Sequence, residues 1–189
     1  YGAALQTGYK YAQQQGYSYL LQMDADGQHD LKNLEVICRR LGCFEQGEPS
    51  RRLPDIVIGS RFLDGSDSFA MSKIRLVAIR MFQWVIRMLT GYRLTDPTSG
   101  LQGMNHRAFS YYAQYSNFDI KSPDLNMVIQ MLLLGYHIEE IPAVMHPRTQ
   151  GVSMHSGALH AMKYMVVMAL STMVAFIRYR RRWGKRGKK

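Results

Sequence analysis

Apolar positions along the chain gather in short blocks, and their period changes from one block to the next. Residues 2–15 have the spacing of a helix that stops near Gly16. Residues 17–23, YSYLLQM, are a run of aromatic and aliphatic side chains suited to a buried strand. Leu31, Leu34, Ile37 and Leu41 return to helical spacing over 30–43, with Asp30 placed to cap it. The polar stretch 45–54 holds Gly47, Pro49 and Ser50 and reads as a loop. Residues 55–60, DIVIGS, predict a second buried strand, and 61–71, rich in Gly, Ser and Asp, a second loop. A long helix is predicted over 72–90, with Ile74, Val77, Met81, Trp84, Val85, Met88 and Leu89 on one broad face. Another follows over 122–134, ended by Gly135, then a strand over 136–144, a loop over 145–155 and a last helix. Strands alternating with helices predict an α/β layered domain.

The chain has 189 residues, enough for one globular domain and tight for two. Hydrophobic residues at 47% and charged residues at 20% exclude disordered, collagenous and heptad-repeat architectures. Two cysteines, Cys38 and Cys43, cannot build a disulfide framework and are expected as free thiols. The first residues read as the middle of an element, so further chain is expected upstream of Tyr1.

Charge changes the picture at one end. The net charge is +10, but residues 178–189 hold eight Arg and Lys and no acid. The other 16 basic and 14 acidic residues leave the body near +2. A polycationic tail seeks an anionic surface, either nucleic acid or acidic lipid. Before it, residues 164–177 (YMVVMALSTMVAFI) carry no charge. A bilayer span needs about 20 apolar residues, and extension back to Ala158 brings in His160 and Lys163. This segment is expected to lie in a membrane interface rather than cross it, with the basic residues favouring the cytoplasmic leaflet. The alternative is a buried terminal helix with a solvated basic end. The 72–90 helix has Lys73, Arg75, Arg80 and Arg87 and no acid, so it is either a second membrane-surface helix or an ordinary helix with a basic face.

The chemistry gathers after the first strand, in Asp24-Ala25-Asp26-Gly27-Gln28-His29. Carboxylates two residues apart on extended chain point the same way, about 6.8 Å apart along it. A divalent cation and a phosphate group between them remove their repulsion. Gly27 lets the chain turn away, and Gln28 offers a neutral oxygen. Ligands of open α/β sheets sit beyond strand C-termini. Of the histidines, His29 adjoins this motif, whereas His106, His137, His146, His155 and His160 lack metal-ligand spacing.

The stretch YSYLLQMDADGQHD resembles the metal-binding segment of family 2, GT-A-fold glycosyltransferases, in the branch of the dolichyl- and polyprenyl-phosphate enzymes. Further resemblances follow in order: Ile58-Gly59-Ser60-Arg61, Thr95-Asp96-Pro97-Thr98-Ser99-Gly100, Glu140-Ile141-Pro142 and Arg148-x-x-Gly151-x-Ser153. The resemblance covers residues 2 to about 164. It implies a Rossmann-like α/β GT-A catalytic domain over 1–155, an apolar interfacial helix over 156–177 and a basic tail over 178–189. It also implies an opening strand with a Pro-x-Tyr-Asn-Glu-like segment and a base-binding Asp upstream of Tyr1. The domain would then be N-terminally truncated, with an edge of its parallel sheet uncovered.

The resemblance further implies that Asp24 and Asp26, with Gln28, hold Mg2+ or Mn2+ on the donor diphosphate. Arg61 would face a phosphate, and Arg148, assisted by Ser153, would clamp one. The base position falls to Asp96 or Asp124. A lipid phosphate is already ionised at neutral pH and needs little proton abstraction, so that acid would orient the acceptor. The implied activity is metal-dependent, inverting transfer of a hexose from a nucleotide diphosphate sugar to a polyprenyl or dolichyl phosphate. It would act at the cytoplasmic face of the membrane, in cell wall biogenesis. One rival is a transferase extending a cell-surface polysaccharide on a sugar hydroxyl. Another, of a different class, is a non-catalytic basic fragment binding nucleic acid or membrane; the body offers no nucleic-acid-binding module, and no nucleic-acid partner is expected.

Overall fold

The computed structural model describes residues 1–45, 52–67, 73–121, 123–146 and 158–183. The elements run α1 (Gly2–Gln14), β1 (Tyr19–Gln22), α2 (Lys32–Leu41), β2 (Ile56–Ser60), α3 (Lys73–Thr90), β3 (Gln102–Asn105), α4 (His106–Ala113), a 3-10 turn (Tyr115–Asn117), α5 (Leu125–Leu133), β4 (Ile138–Pro142) and α6 (Ala158–Trp183). The strands form one sheet in the order β1-β3-β2-β4. β2 and β4 pair in parallel, with Val57 opposite Glu139. β3 is antiparallel to both β1 and β2, with Gly103 between Leu21 and Val57. The sheet is therefore mixed, not parallel throughout as the sequence pattern suggested.

β3 and α4 escape the pattern for a physical reason. Gln102-Gly103-Met104-Asn105 shows one strongly apolar residue in four. Gly103 is there because α2 packs directly on it: a Cβ would collide with the side chain of Ile37. Asn105 ends the strand and caps α4, its side chain accepting from the backbone N–H of Ala108.

Side chains alternate across the sheet as strand geometry requires. Val57 and Ile141 face α2 and meet Ile37 and Leu41. Ile56, Ile58, Met104 and Ile138 face the larger core, built with α1 and α3–α6. At its centre α5 is buried at all nine positions, which explains why its sequence, LNMVIQMLL, is apolar on every side. α6 lies along α5 through Met168, Ala175 and Tyr179. Its opposite side exposes Val166, Leu170, Met173, Val174 and Ile177. α3 likewise buries Ile79, Phe82 and Ile86 and exposes Val77, Met81, Trp84 and Met88. Among the described residues no helix is long and apolar enough to cross a membrane.

Candidate active site

Asp24 follows β1 at the C-terminal end of the sheet, half-buried. Its carboxylate lies against Gly100, where a Cβ would come within 2.5–2.7 Å of the carboxylate atoms. Gln22 steadies the approach: its Oε1 accepts from the Tyr9 hydroxyl at 2.6 Å, and its Nε2 donates to the Gly100 carbonyl at 3.4 Å. The Tyr1 hydroxyl stands near Asp24. Desolvation, then the charges of Asp24 and Asp124, push the Tyr1 phenol up to about 12. Tyr1 as a whole is 65% exposed.

Asp124 reaches this place because the start of α1 docks on the chain ahead of α5. Gly2 makes the docking possible, since a Cβ would strike the Ile120 carbonyl and the Pro123 ring. Asp124 itself occupies the N-cap position of α5, where the helix dipole favours a negative charge.

The rest of the Asp-x-Asp loop is laced to a distant strand extension. Asp26 Oδ1 accepts from the backbone N–H of Gln28 at 3.1 Å, a tight turn made possible by Gly27 at φ +72°. Gln28 is buried, accepts through its carbonyl from His146 N–H at 2.7 Å and donates from Nε2 to the His146 carbonyl at 3.4 Å. His29 bridges to Met145. Asp30 N–H donates to the Val144 carbonyl, and Asn33 exchanges two hydrogen bonds with Val144, at 2.8 and 3.0 Å. Asp30 and His146 also meet side chain to side chain at 3.1 Å. The Lys32 backbone N–H, then His146, hold the Asp30 carboxyl below its ordinary range.

The second half of the candidate set forms a buried knot. Asp96 is fully buried and accepts from Arg61 three times: backbone N–H at 3.1 Å, Nε at 2.6 Å and a terminal guanidinium nitrogen at 2.7 Å. Thr98 touches both partners. Glu140, on β4, accepts from the backbone N–H groups of Thr95 and Asp96, each at 2.7 Å. Burial pushes its carboxyl up, partly opposed by those hydrogen bonds. Gln83 of α3 donates to the Thr95 carbonyl at 2.6 Å, and Ser60 meets Thr95 hydroxyl to hydroxyl at 2.5 Å. The 95–100 turn is thus gripped at one end by Arg61 and Glu140 and carries Gly100, beside Asp24, at the other.

Of the residues singled out in the sequence, the structure joins Arg61 to Asp96 and sets Asp24 and Asp124 where the charge of each acts on the Tyr1 phenol. Arg148 and Ser153 lie outside the described residues. Tyr1, Gly100 and Glu140 had no assigned role in the sequence reading. Gly100 and Glu140 carried a signal only as members of the quoted motifs, and Glu140 also as one of two acids in the strand IEEIP.

Among the described residues, no three His, Cys, Asp or Glu side chains are drawn together as a ready-made metal site. The donors present are two carboxylates and a carboxamide. That set suits Mg2+, which binds through one or two carboxylates and completes its shell with water and substrate phosphates.

No family model matches the sequence. Curated proteins similar to it include the following three. An uncharacterized protein of Methanocaldococcus jannaschii is 30% identical over 146 residues, 75% of this chain and 55% of that protein. The polyprenol monophosphomannose synthase of Mycolicibacterium smegmatis is 27% identical over 164 residues, 83% of this chain and 56% of that protein. The undecaprenyl-phosphate mannosyltransferase of Micrococcus luteus is 26% identical over 174 residues, 84% and 61% respectively. The chain spans little more than half the length of the curated relatives it matches.

Proposed function

We propose that this chain is the metal- and acceptor-side part of a glycosyltransferase that moves a hexose from a nucleotide diphosphate sugar to a polyprenyl phosphate. The observation that carries the reading is the similarity, across 83–84% of the chain, to two proteins named for mannosyl transfer to such lipids. The placement of Asp24 beyond a strand C-terminus, where α/β sheets bind ligands, supports it.

In this reading Asp24, Asp26 and the Gln28 oxygen hold Mg2+ or Mn2+ against the donor diphosphate. The ion supplies offset for the charge that grows on the leaving nucleotide. Arg148 and Ser153 clamp a phosphate; their support is that His146, two residues before Arg148, is bonded to Gln28. Asp96, with both carboxylate oxygens taken by Arg61, orients the arginine and the 95–100 turn rather than a proton. Asp124, whose charge reaches the same hydroxyl as that of Asp24, is the better-supported acid on the acceptor side.

The reaction is proposed to take place at an anionic, cytoplasmic membrane surface. Support comes from the two exposed apolar stripes on α3 and α6, which both pack on α5, and from the exposed Arg80, Arg87, Arg178 and Arg180 on the same helices.

Incubation with undecaprenyl phosphate, Mg2+ or Mn2+ and a panel of nucleotide diphosphate sugars, mannose donors first, tests the reading. Lipid-linked sugar is expected, abolished by chelator and by Asp26→Asn. Transfer only to a glycan hydroxyl, or full activity of Asp26→Asn, overturns it.

A further inference from the structure

We infer that His29 is a positioning residue for the Asp24 carboxylate, and through it for the divalent cation; the inference rests on the metal assignment proposed above. The His29 side chain is only 3% exposed, and its Nε2 stands 3.9 Å from Asp24 Oδ2. Its Nδ1 is buried without a hydrogen-bond partner among the described residues. A buried orphan N–H is rarer in proteins than an under-used acceptor. The tautomer favoured is therefore the one that leaves Nδ1 bare and carries the proton on Nε2, the nitrogen that faces Asp24.

The His29 backbone is held in that place. The bridge from His29 to Met145 is flanked by the Gln28–His146 and Asp30–Val144 backbone hydrogen bonds, which hold the residue on both sides. Against the same carboxylate stands Gly100, with no room for a Cβ. Asp24 thus has both an imidazole and a bare Cα beside its carboxylate, each delivered by a different part of the chain. At 3.9 Å the Nε2 contact is electrostatic rather than a hydrogen bond. Such contacts are often long in ligand-free sites and tighten in the loaded one. Outer partners of metal-binding carboxylates orient them, and their loss typically costs about 10–100-fold in metal affinity.

Mn2+ alone is the probe, its dissociation constant read by electron paramagnetic resonance on the full chain, with melting temperature measured in parallel. The variants are Asp24→Asn, His29→Leu, His29→Gln and His29→Asn. Gln can present an amide nitrogen where Nε2 stands, whereas Asn can reach only the Nδ1 position. The expected result is that His29→Leu and His29→Asn weaken Mn2+ binding about 10–100-fold and that His29→Gln restores most of the loss. If His29→Leu does not fold, the Gln-against-Asn contrast decides. Wild-type affinity in both His29→Leu and His29→Asn, or Gln no better than Asn, overturns the inference alone, provided Asp24→Asn loses binding. Mn2+ binding that is absent from the wild type, or unaffected by Asp24→Asn, overturns the metal assignment itself and this inference with it.

Discussion

Gly100 has no side chain because a carboxylate already fills the space a side chain needs. The Asp24 oxygens and Cγ lie 2.5–2.7 Å from where a Cβ would stand, so Gly100→Ala must move the carboxylate or the 95–100 turn. The turn is anchored by Arg61 and Glu140, so Asp24 yields. Overpacking of this kind costs about 1–3 kcal/mol. Gly100→Ala is expected to melt lower by a corresponding few degrees and to bind Mn2+ more weakly, read by calorimetry and by the resonance titration; an unchanged Mn2+ affinity would count against the seat. Glu140 gives a prediction with a sign in pH. Burial raises its carboxyl in the folded state, so the folded protein holds that proton to higher pH than the unfolded chain. The contribution of this group to stability is full below the ordinary carboxylate value and declines as pH climbs through the raised one. Glu140→Gln has no proton to lose and adds only a constant offset. The melting-temperature gap between wild type and Glu140→Gln should shift against the wild type as pH rises from about 4 toward neutrality, and a gap that is flat in pH refutes the assignment. The place of Asp24 and Asp26 just beyond a strand was legible in the sequence because its signal is local: two acids, a strand before them and a glycine after them. Gly100 and Glu140 were not, because each matters through a partner 44 or more positions away.

At the scale of elements, the three strands written in aliphatic runs were legible and the fourth was not. β3 is short, and its glycine is dictated by a neighbour, α2, rather than by its own period. α5 was legible as a helix, while its burial on every side depends on α3 and α6 arriving from elsewhere in the chain. The end of α2 gives a reactivity prediction. Gly42 turns the chain at φ +84°, and Cys43 N–H donates back to the Cys38 carbonyl at 3.0 Å. This brings the two thiols together. Burial, then the hydrogen bond with Cys38, push the Cys43 thiol up to about 12. Its thiolate fraction at pH 8 therefore lies well below that of an ordinary thiol, at about 8.5. Brief alkylation with iodoacetamide at pH 8 should leave Cys43 unmodified in the folded protein and modified in urea, as read by peptide mass spectrometry. Equal labelling in both states would show that the thiol is not held as described.

For the molecule as a whole, the membrane reading separates into two terms with different dependence on salt. The exposed stripes of α3 and α6 contribute by apolar insertion, which salt leaves nearly untouched. The eight basic residues of 178–189 contribute at most about 1 kcal/mol each near an anionic leaflet, less as ions screen them. Deleting 178–189 should greatly weaken flotation with anionic vesicles and change flotation with neutral ones little. High salt should mimic the deletion. Trp84, 61% exposed on α3, should shift its fluorescence to the blue on anionic vesicles. Equal binding to both vesicle types, or a Trp84 spectrum that does not move, would remove α3 and the tail from the interface.

The lacing of the Asp-x-Asp loop to residues 144–146 has a consequence for the order in which the protein comes into being. A ribosome completes the DADGQH motif more than a hundred residues before it makes the His146 backbone that holds Gln28. Until β4 and its extension emerge, the nascent chain carries both acids on a loop shaped only by its own Asp26–Gln28 turn, and Asp24 still lacks Gly100 for most of that interval. Contacts of such long sequence separation form late, because loop closure must be met before they can stabilise anything. A chain stalled near residue 137 therefore owns the motif without owning the site. The surroundings of the loop are thus complete only once β4 and its extension have been made, as a property of the finished sheet.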